Sequence, residues 1–421
     1  MSFLTVFFRK PYPVKFGLSR AHSVYVFGQL SLTGSTFIFN IIIAGLLGPG
    51  SMGIWQTAVL VSTYAMMLMF GALNGMGREV PFLRGRQDDQ GVNETISSAL
   101  ATLIVVSALL ATISLSIELS GLAPAWLMLG AGLLFARLAN SFSMMLIRSL
   151  QDFARLGLHQ GVTAGLLLLG IAWVWQTPSL HRVLAVMAIA LLSVTLLAAR
   201  YVHPTRPVWS RLRQLVSVGL PIMLAGVIFG LLTTVDRLLI LGFLGTESLG
   251  LYTPAISALG IITIAPNLIS NVMYPKLAHE FGRTENLVTL LPFVKRMLQL
   301  NFAVTIAITL VFLVTFYTFI IPFVLPAYMD GRQPMAILLV SALFLPIGQS
   351  FGDLFNVIGW QRHYLINMTI GFLASAIIGY ILVGPAGMGL SGVAVGTVIG
   401  TAIFATLQTI TFIRLLRQKT V

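Results

Sequence analysis

Four ionisable residues stand inside long apolar stretches of the chain: Arg137, Asp236, Arg237 and Asp353. A charge held at mid-bilayer costs at least about 2.5–3.5 kcal/mol, so each such residue needs a reason. A guanidinium offers a planar fork of donors that suits phosphate oxygens. A buried carboxylate can hold a proton or a cation. The same residues also suit structural pairs that lock neighbouring helices together, and both readings stand at this level. Asp236 and Arg237 are adjacent, so they project about 100° apart on a helix and are poor partners for each other; each is expected to pair elsewhere. Gln349, Asp353 and Asn356 are spaced four and three apart, which places them on one helical face. A polar stripe of this kind faces protein or water, not lipid, and lines either a cavity or a bundle interior. Glu79 and Arg78 close an apolar stretch, where charges are cheap and solvated.

The elements that carry these residues follow from composition. The chain has 421 residues, 57% of them hydrophobic and 9% charged. A soluble domain carries roughly 25% charged residues, so this chain has too few to cover a wetted surface. Soluble enzymes and disordered proteins are excluded, and an all-α integral membrane protein is expected. Twelve stretches are long enough to span: 22–47, 54–77, 95–117, 122–147, 159–176, 181–200, 215–243, 248–273, 298–321, 335–359, 364–384 and 389–413. Each reads as a helix, because a lone segment in lipid must satisfy its own backbone.

Basic residues supply the orientation. With the N-terminus in the cytoplasm, twenty-one Lys and Arg fall on the cytoplasmic side and two, Arg182 and Arg332, on the outer side. This imbalance predicts twelve spans with both termini cytoplasmic. It also accounts for the net charge of +13 without nucleic acid. Residues 1–17 read as a short lead-in, not as a signal peptide. There is no cysteine, and the six histidines lie near expected loops without metal-pair spacing, so no metal site is expected. No Walker-type phosphate loop occurs, and no cofactor is expected.

An internal repeat organises the spans. Residues 41–58, IIIAGLLGPGSMGIWQTA, match 238–255, LLILGFLGTESLGLYTPA, at an offset of 197. Gly45, Gly48, Ser51 and Gly53 meet Gly242, Gly245, Ser248 and Gly250. Trp55 meets Tyr252, an aromatic pair suited to a membrane interface. Two parallel six-helix bundles follow, an N-lobe at 1–205 and a C-lobe at 206–421, joined by a Pro- and Arg-rich linker at 200–214. Pro221, Pro254, Pro266 and Pro346 predict a C-lobe that bends more than the N-lobe.

The Leu244–Tyr252 turn, Asp236-Arg237 before it and the 77–86 loop GREVPFLRGR resemble those of bacterial polysaccharide flippases of the Wzx type. These belong to the MOP superfamily, with a MATE-like fold. The resemblance implies two facing six-helix bundles in the bacterial cytoplasmic membrane. The implied substrate is an undecaprenyl-pyrophosphate-linked oligosaccharide, moved from inner to outer leaflet by alternating access, beside membrane lipid and polysaccharide polymerase machinery. Arg137 and Arg237 would then hold the pyrophosphate, one from each lobe. Asp236 or Asp353 would take a coupling proton or cation. Asn40, Gln349 and Asn356 would meet sugar. The first span has no acid, unlike that of many MATE exporters, and the two extra helices of lipid II flippases are missing. A cation-coupled small-molecule exporter of the same fold is the alternative. A membrane polymerase or ligase fits less well, because the outer connections are short and no catalytic constellation is visible.

Overall fold

The computed structural model describes residues 20–120, 127–202 and 205–419. The lead-in at 1–17 and Pro204 of the linker lie outside them. The described chain is helical, without a strand. In chain order the helices are α1 (Arg20–Ala65), α2 (Ala72–Gly85), α3 (Asp89–Leu119), α4 (Leu127–Ser149), α5 (Phe153–Gln176) and α6 (Leu180–Ala198). There follow α7 (Trp209–Phe243), α8 (Gly245–Leu251), α9 (Thr253–Ile262), α10 (Ile264–Thr284) and α11 (Leu287–Thr315). The last four are α12 (Arg332–Ser341), α13 (Leu345–Val357), α14 (Gln361–Val383) and α15 (Gly389–Lys419). Several starts carry side-chain caps: Asp152 accepts from the Arg155 amide at 3.2 Å and Asn286 from the Val288 amide at 2.9 Å.

Eleven helical stretches among the described residues are long and apolar enough to cross a membrane. This is a multi-pass membrane protein. Its outward apolar side chains agree: Leu169 is 72% exposed and Leu196 78%. The count is eleven because the first two expected spans run on as one stretch, Ser23–Met69, of 47 residues. At 1.5 Å per residue it measures about 70 Å, over twice the ~30 Å hydrocarbon thickness. Its helical path is interrupted at Gly48 (φ 72°, ψ 173°). Gly245, its repeat partner, is also left-handed (φ 83°).

Other expectations need correction. The 77–86 segment is not a loop but the body of α2, with Pro81 inside it. The Leu244–Tyr252 turn is mostly the short helix α8. Trp55 and Tyr252 do not sit at an interface: they are 1% and 0% exposed, among the largest buried side chains. His159 is not at a loop but buried within α5. Pro254, Pro266 and Pro346 stand in the first turns of α9, α10 and α13, where broken helices restart, whereas Pro221 stays inside an unbroken α7.

The chain packs as two compact units, Gly17–Val227 and Ile228–Val421 within the described residues. Apolar burial gives little drive between helices in lipid, so close packing of small residues matters most. In the first unit a Cβ on Gly28 would lie 2.2 Å from the Gly157 carbonyl oxygen, so α1 and α5 touch backbone to backbone. Gln160 Nε2 donates to Gln29 Oε1 there at 2.6 Å. The first half of α7 joins this unit at Gly219, where a Cβ would stand 1.9 Å from the Gly71 oxygen. Arg211 reinforces the junction, with Nε 3.2 Å from Glu94 Oε2 and Nη2 3.6 Å from Asp88 Oδ2. Gln214 Nε2 donates to Glu79 Oε2 at 2.8 Å. Glu79 is therefore buried and bonded, not solvated.

In the second unit α14 and α15 form a small-residue seam. A Cβ on Gly396 would lie 2.5 Å from Gly379 Cα, and one on Gly400 2.4 Å from Ser375 Cβ. Beside the seam, Met273, Leu290, Leu354 and Leu415 form an apolar core in which Phe351 stacks on Phe412 at 4.6 Å.

Candidate functional site

The second unit encloses a cavity of about 280 Å³ walled by α7, α9, α10, α12, α13, α14 and α15. Arg237 from α7, Asn267 from α10 and Gln349 from α13 bring it their longer polar side chains. Tyr364 enters from α14, and Thr397 and Thr401 from α15.

The chemistry of this lining is asymmetric. Thr234, Thr397 and Thr401 each spend their hydroxyl hydrogen on a carbonyl one turn back, at 2.7, 3.2 and 2.8 Å. Such hydroxyls can still accept but have no proton left to give. Asn267 Nδ2 donates to the Thr263 carbonyl at 2.9 Å and Gln349 Nε2 to Ser270 Oγ at 3.1 Å. Arg237 is the exception. Its Nε is buried without a partner, and its side chain forms no ion pair among the described residues. The cavity therefore presents a guanidinium that makes no side-chain hydrogen bond, with the buried Asp236 carboxylate acting on its charge, amid oxygen acceptors. It is complementary to an anion that also carries hydroxyl groups.

The expected neighbours divide. Asp236 does not pair with a cation elsewhere, as expected, but accepts from the Arg237 amide at 2.8 Å. It is buried outside the cavity lining with Tyr252 beside it. Asp353 is buried behind the cavity and accepts from Ser270 Oγ. Ser270 thus links Gln349, in the wall, to Asp353, in the bundle interior. Asn356 stands outside the lining and engages Gln361 through its carbonyl at 3.0 Å.

Two expected residues belong to the first unit. Arg137, on α4, has a buried Nε without a partner, and so does the Oδ1 of Asn140 one turn on. Asn40 accepts from Trp55 Nε1 at 3.1 Å. Sequence reasoning missed Ser270, Tyr364 and the threonines. The i, i+4 spacing of Thr397 and Thr401 is the signal that would have pointed to a polar face on α15.

These features define a helical, multi-pass membrane protein with a polar cavity inside its second unit, and its fold is MATE-like. The chain superposes on an inward-facing multidrug resistance MATE family transporter of the MOP superfamily with a TM-score of 0.67 at 16% identity, covering 97% of this chain and 98% of that one. A MATE protein in the straight conformation gives 0.66 at 16% identity, over 95% of each chain. A MOP superfamily transporter from Pyrococcus furiosus, described with a binding pocket of reverse polarity, gives 0.60 at 17%, over 95% of each. At such identities the likeness establishes the fold. No curated protein matches the sequence. Residues 19–280 match the family model of polysaccharide biosynthesis proteins, and the chain belongs to that family.

Proposed function

We propose that this protein moves undecaprenyl-pyrophosphate-linked oligosaccharide from the inner to the outer leaflet of the bacterial cytoplasmic membrane by alternating access. The product would pass to polysaccharide polymerase machinery outside. The observation that carries this reading is the Arg237 guanidinium, without a side-chain hydrogen bond, in a cavity of hydroxyl acceptors. A pyrophosphate needs a desolvated cation, and sugar hydroxyls need acceptors. A cavity of about 280 Å³ holds a phosphate group or one sugar, not a whole glycan, so it serves as a subsite. Arg137 is the cation of the other half, and Gln349, in the cavity wall, contributes a polar contact to sugar. Asp236 or Asp353 holds the coupling proton or cation. No covalent chemistry is asked of the chain.

In this reading Ser23–Met69 makes two passes that break at Gly48, giving twelve spans with both termini cytoplasmic. The repeat assigns residues 1–205 and 206–421 as the functional lobes. The first half of α7 then belongs to the second repeat while packing with the first unit.

The test is leaflet translocation of a fluorescent undecaprenyl-pyrophosphate oligosaccharide in proteoliposomes. Protein-dependent flipping that Arg237→Gln and Arg137→Ala each slow, with both variants folded, supports the reading. Proton- or sodium-driven dye efflux without lipid flipping would overturn it in favour of an exporter.

A further inference from the structure

The first unit carries a concavity of its own, different in character from that of the second unit. It is a groove of about 620 Å³ lined by α3, the first half of α7 and Phe70. Ala101, Val105 and Val106 form its floor on the α3 side. Trp209 stands at its mouth, 78% exposed, in the place an indole takes at a membrane–water interface. Arg213, one turn further along α7, is the single charged residue of the lining.

Two features of this groove suit a ligand with an apolar chain and an anionic head. Phe70 is 58% exposed and held in the left-handed region (φ 46°), which a bulky residue adopts only at a cost of about 1–2 kcal/mol. The backbone there is strained, and the aromatic side chain faces outward into the groove. The charges are also unequally spent. Arg211 is taken up by Asp88 and Glu94, whereas Arg213 makes no ion pair among the described residues.

We propose that this groove is a specific docking site for one anionic diacyl phospholipid, its phosphate on Arg213 and an acyl chain against Phe70, Ala101, Val105 and Val106. The charge balance selects the occupant. One free guanidinium matches the single negative charge of a phosphodiester. A pyrophosphate lipid brings two or more negative charges and would leave the excess unneutralised. A zwitterionic lipid brings its own cation beside the phosphate and gains less from Arg213 than a lipid with net negative charge. The apolar walls exclude a water-soluble anion, which has no chain to place there. The bound lipid would brace α3 against the start of α7, beside the Arg211 junction. This site does not depend on what the transport cavity carries.

The test is quenching of Trp209 by brominated lipid. The protein and its Trp209→Phe variant are reconstituted in phosphatidylcholine vesicles, and their difference isolates Trp209 from the other tryptophans. Brominated phosphatidylglycerol is expected to reach half-maximal quenching at about a fivefold lower mole fraction than brominated phosphatidylcholine. Arg213→Gln should abolish that preference, and Ala101→Phe, which fills the floor and leaves the charge, should weaken quenching by both lipids. Equal quenching by the two lipids in the unmodified protein would overturn the proposal, as would a preference that survives Arg213→Gln. Displacement of brominated phosphatidylglycerol by undecaprenyl phosphate at a lower mole fraction than by unlabelled phosphatidylglycerol would reassign the groove to a polyprenyl lipid.

Discussion

Asn40 and Arg237 occupy the same position in the two copies of the repeat, and only Asn40 is bonded. The offset of 197 that joins Gly48 to Gly245 also joins Asn40 to Arg237 and Trp55 to Tyr252. In the first copy the indole of Trp55 donates to Asn40 at 3.1 Å. In the second copy Tyr252 lies beside Asp236 instead, and the Arg237 side chain makes no hydrogen bond. One repeat has closed its polar position with an internal bond while the other keeps it open to a ligand.

If Arg237 binds the pyrophosphate as proposed, its loss should be felt in transport. Arg237→Gln should slow flipping about 10–100-fold, the worth of one or two charge-assisted hydrogen bonds. Arg237→Lys should recover only part, because an ammonium keeps the charge and loses the fork. Arg237→Met should melt at a lower temperature than the unmodified protein, since it takes the neighbouring positive charge from the buried Asp236 carboxylate. A variant that flips normally and melts lower would make Arg237 a packing residue.

Ser270 joins the cavity wall to the interior carboxylate. Ser270→Ala should destabilise the protein by about 1–3 kcal/mol, because it strips a buried carboxylate of its donor. In a double-mutant cycle Asp353→Asn should absorb most of that loss, and additive melting shifts would refute the link.

Gly48 and Gly245 face open space, so a methyl group at either meets no neighbour. Any cost of Gly48→Ala or Gly245→Ala must come from the left-handed backbone alone, about 1–2 kcal/mol each. Asn should gain little over Ala at Gly48, whose φ of 72° and ψ of 173° lie where only glycine is at ease, and should cost less than Ala at Gly245. Chemical denaturation of the four single variants would order them, and equal effects would contradict the account.

Gly219 is the opposite case, because a side chain there collides with the Gly71 backbone. Gly219→Val should therefore loosen the first half of α7 from the first unit far more than Arg211→Gln does. A partly exposed ion pair is worth about 0–1 kcal/mol. Hydrogen exchange at residues 215–222 would report the difference, and equal protection in the two variants would count against it.

The helical membrane class, the repeat and the buried charges were legible in the sequence, because each follows from hydrophobic runs and offsets that one dimension preserves. The 77–86 segment was misread as a loop because Arg78, Arg84 and Arg86 resemble interfacial punctuation, although helix α2 presents Met76, Val80 and Leu83 to the core. Trp55 and Tyr252 were misplaced for a related reason. An aromatic residue after a glycine-rich turn suits an interface by composition, and only packing shows that both are interior. The cavity itself was out of reach. Its walls come from residues 229 to 404, and the role of each threonine depends on where its one proton is spent.

The small-residue seam between α14 and α15 leaves those two helices no room to slide or part. Tyr364, Thr397 and Thr401 are mounted on that seam and keep their mutual spacing. Any change in cavity volume has to come from the facing elements, α9, α10 and α13, each of which restarts at a proline. In a transport cycle that changes this cavity's volume, the seam would then act as a fixed jaw, its acceptors a template of constant spacing against which the rest of the wall moves.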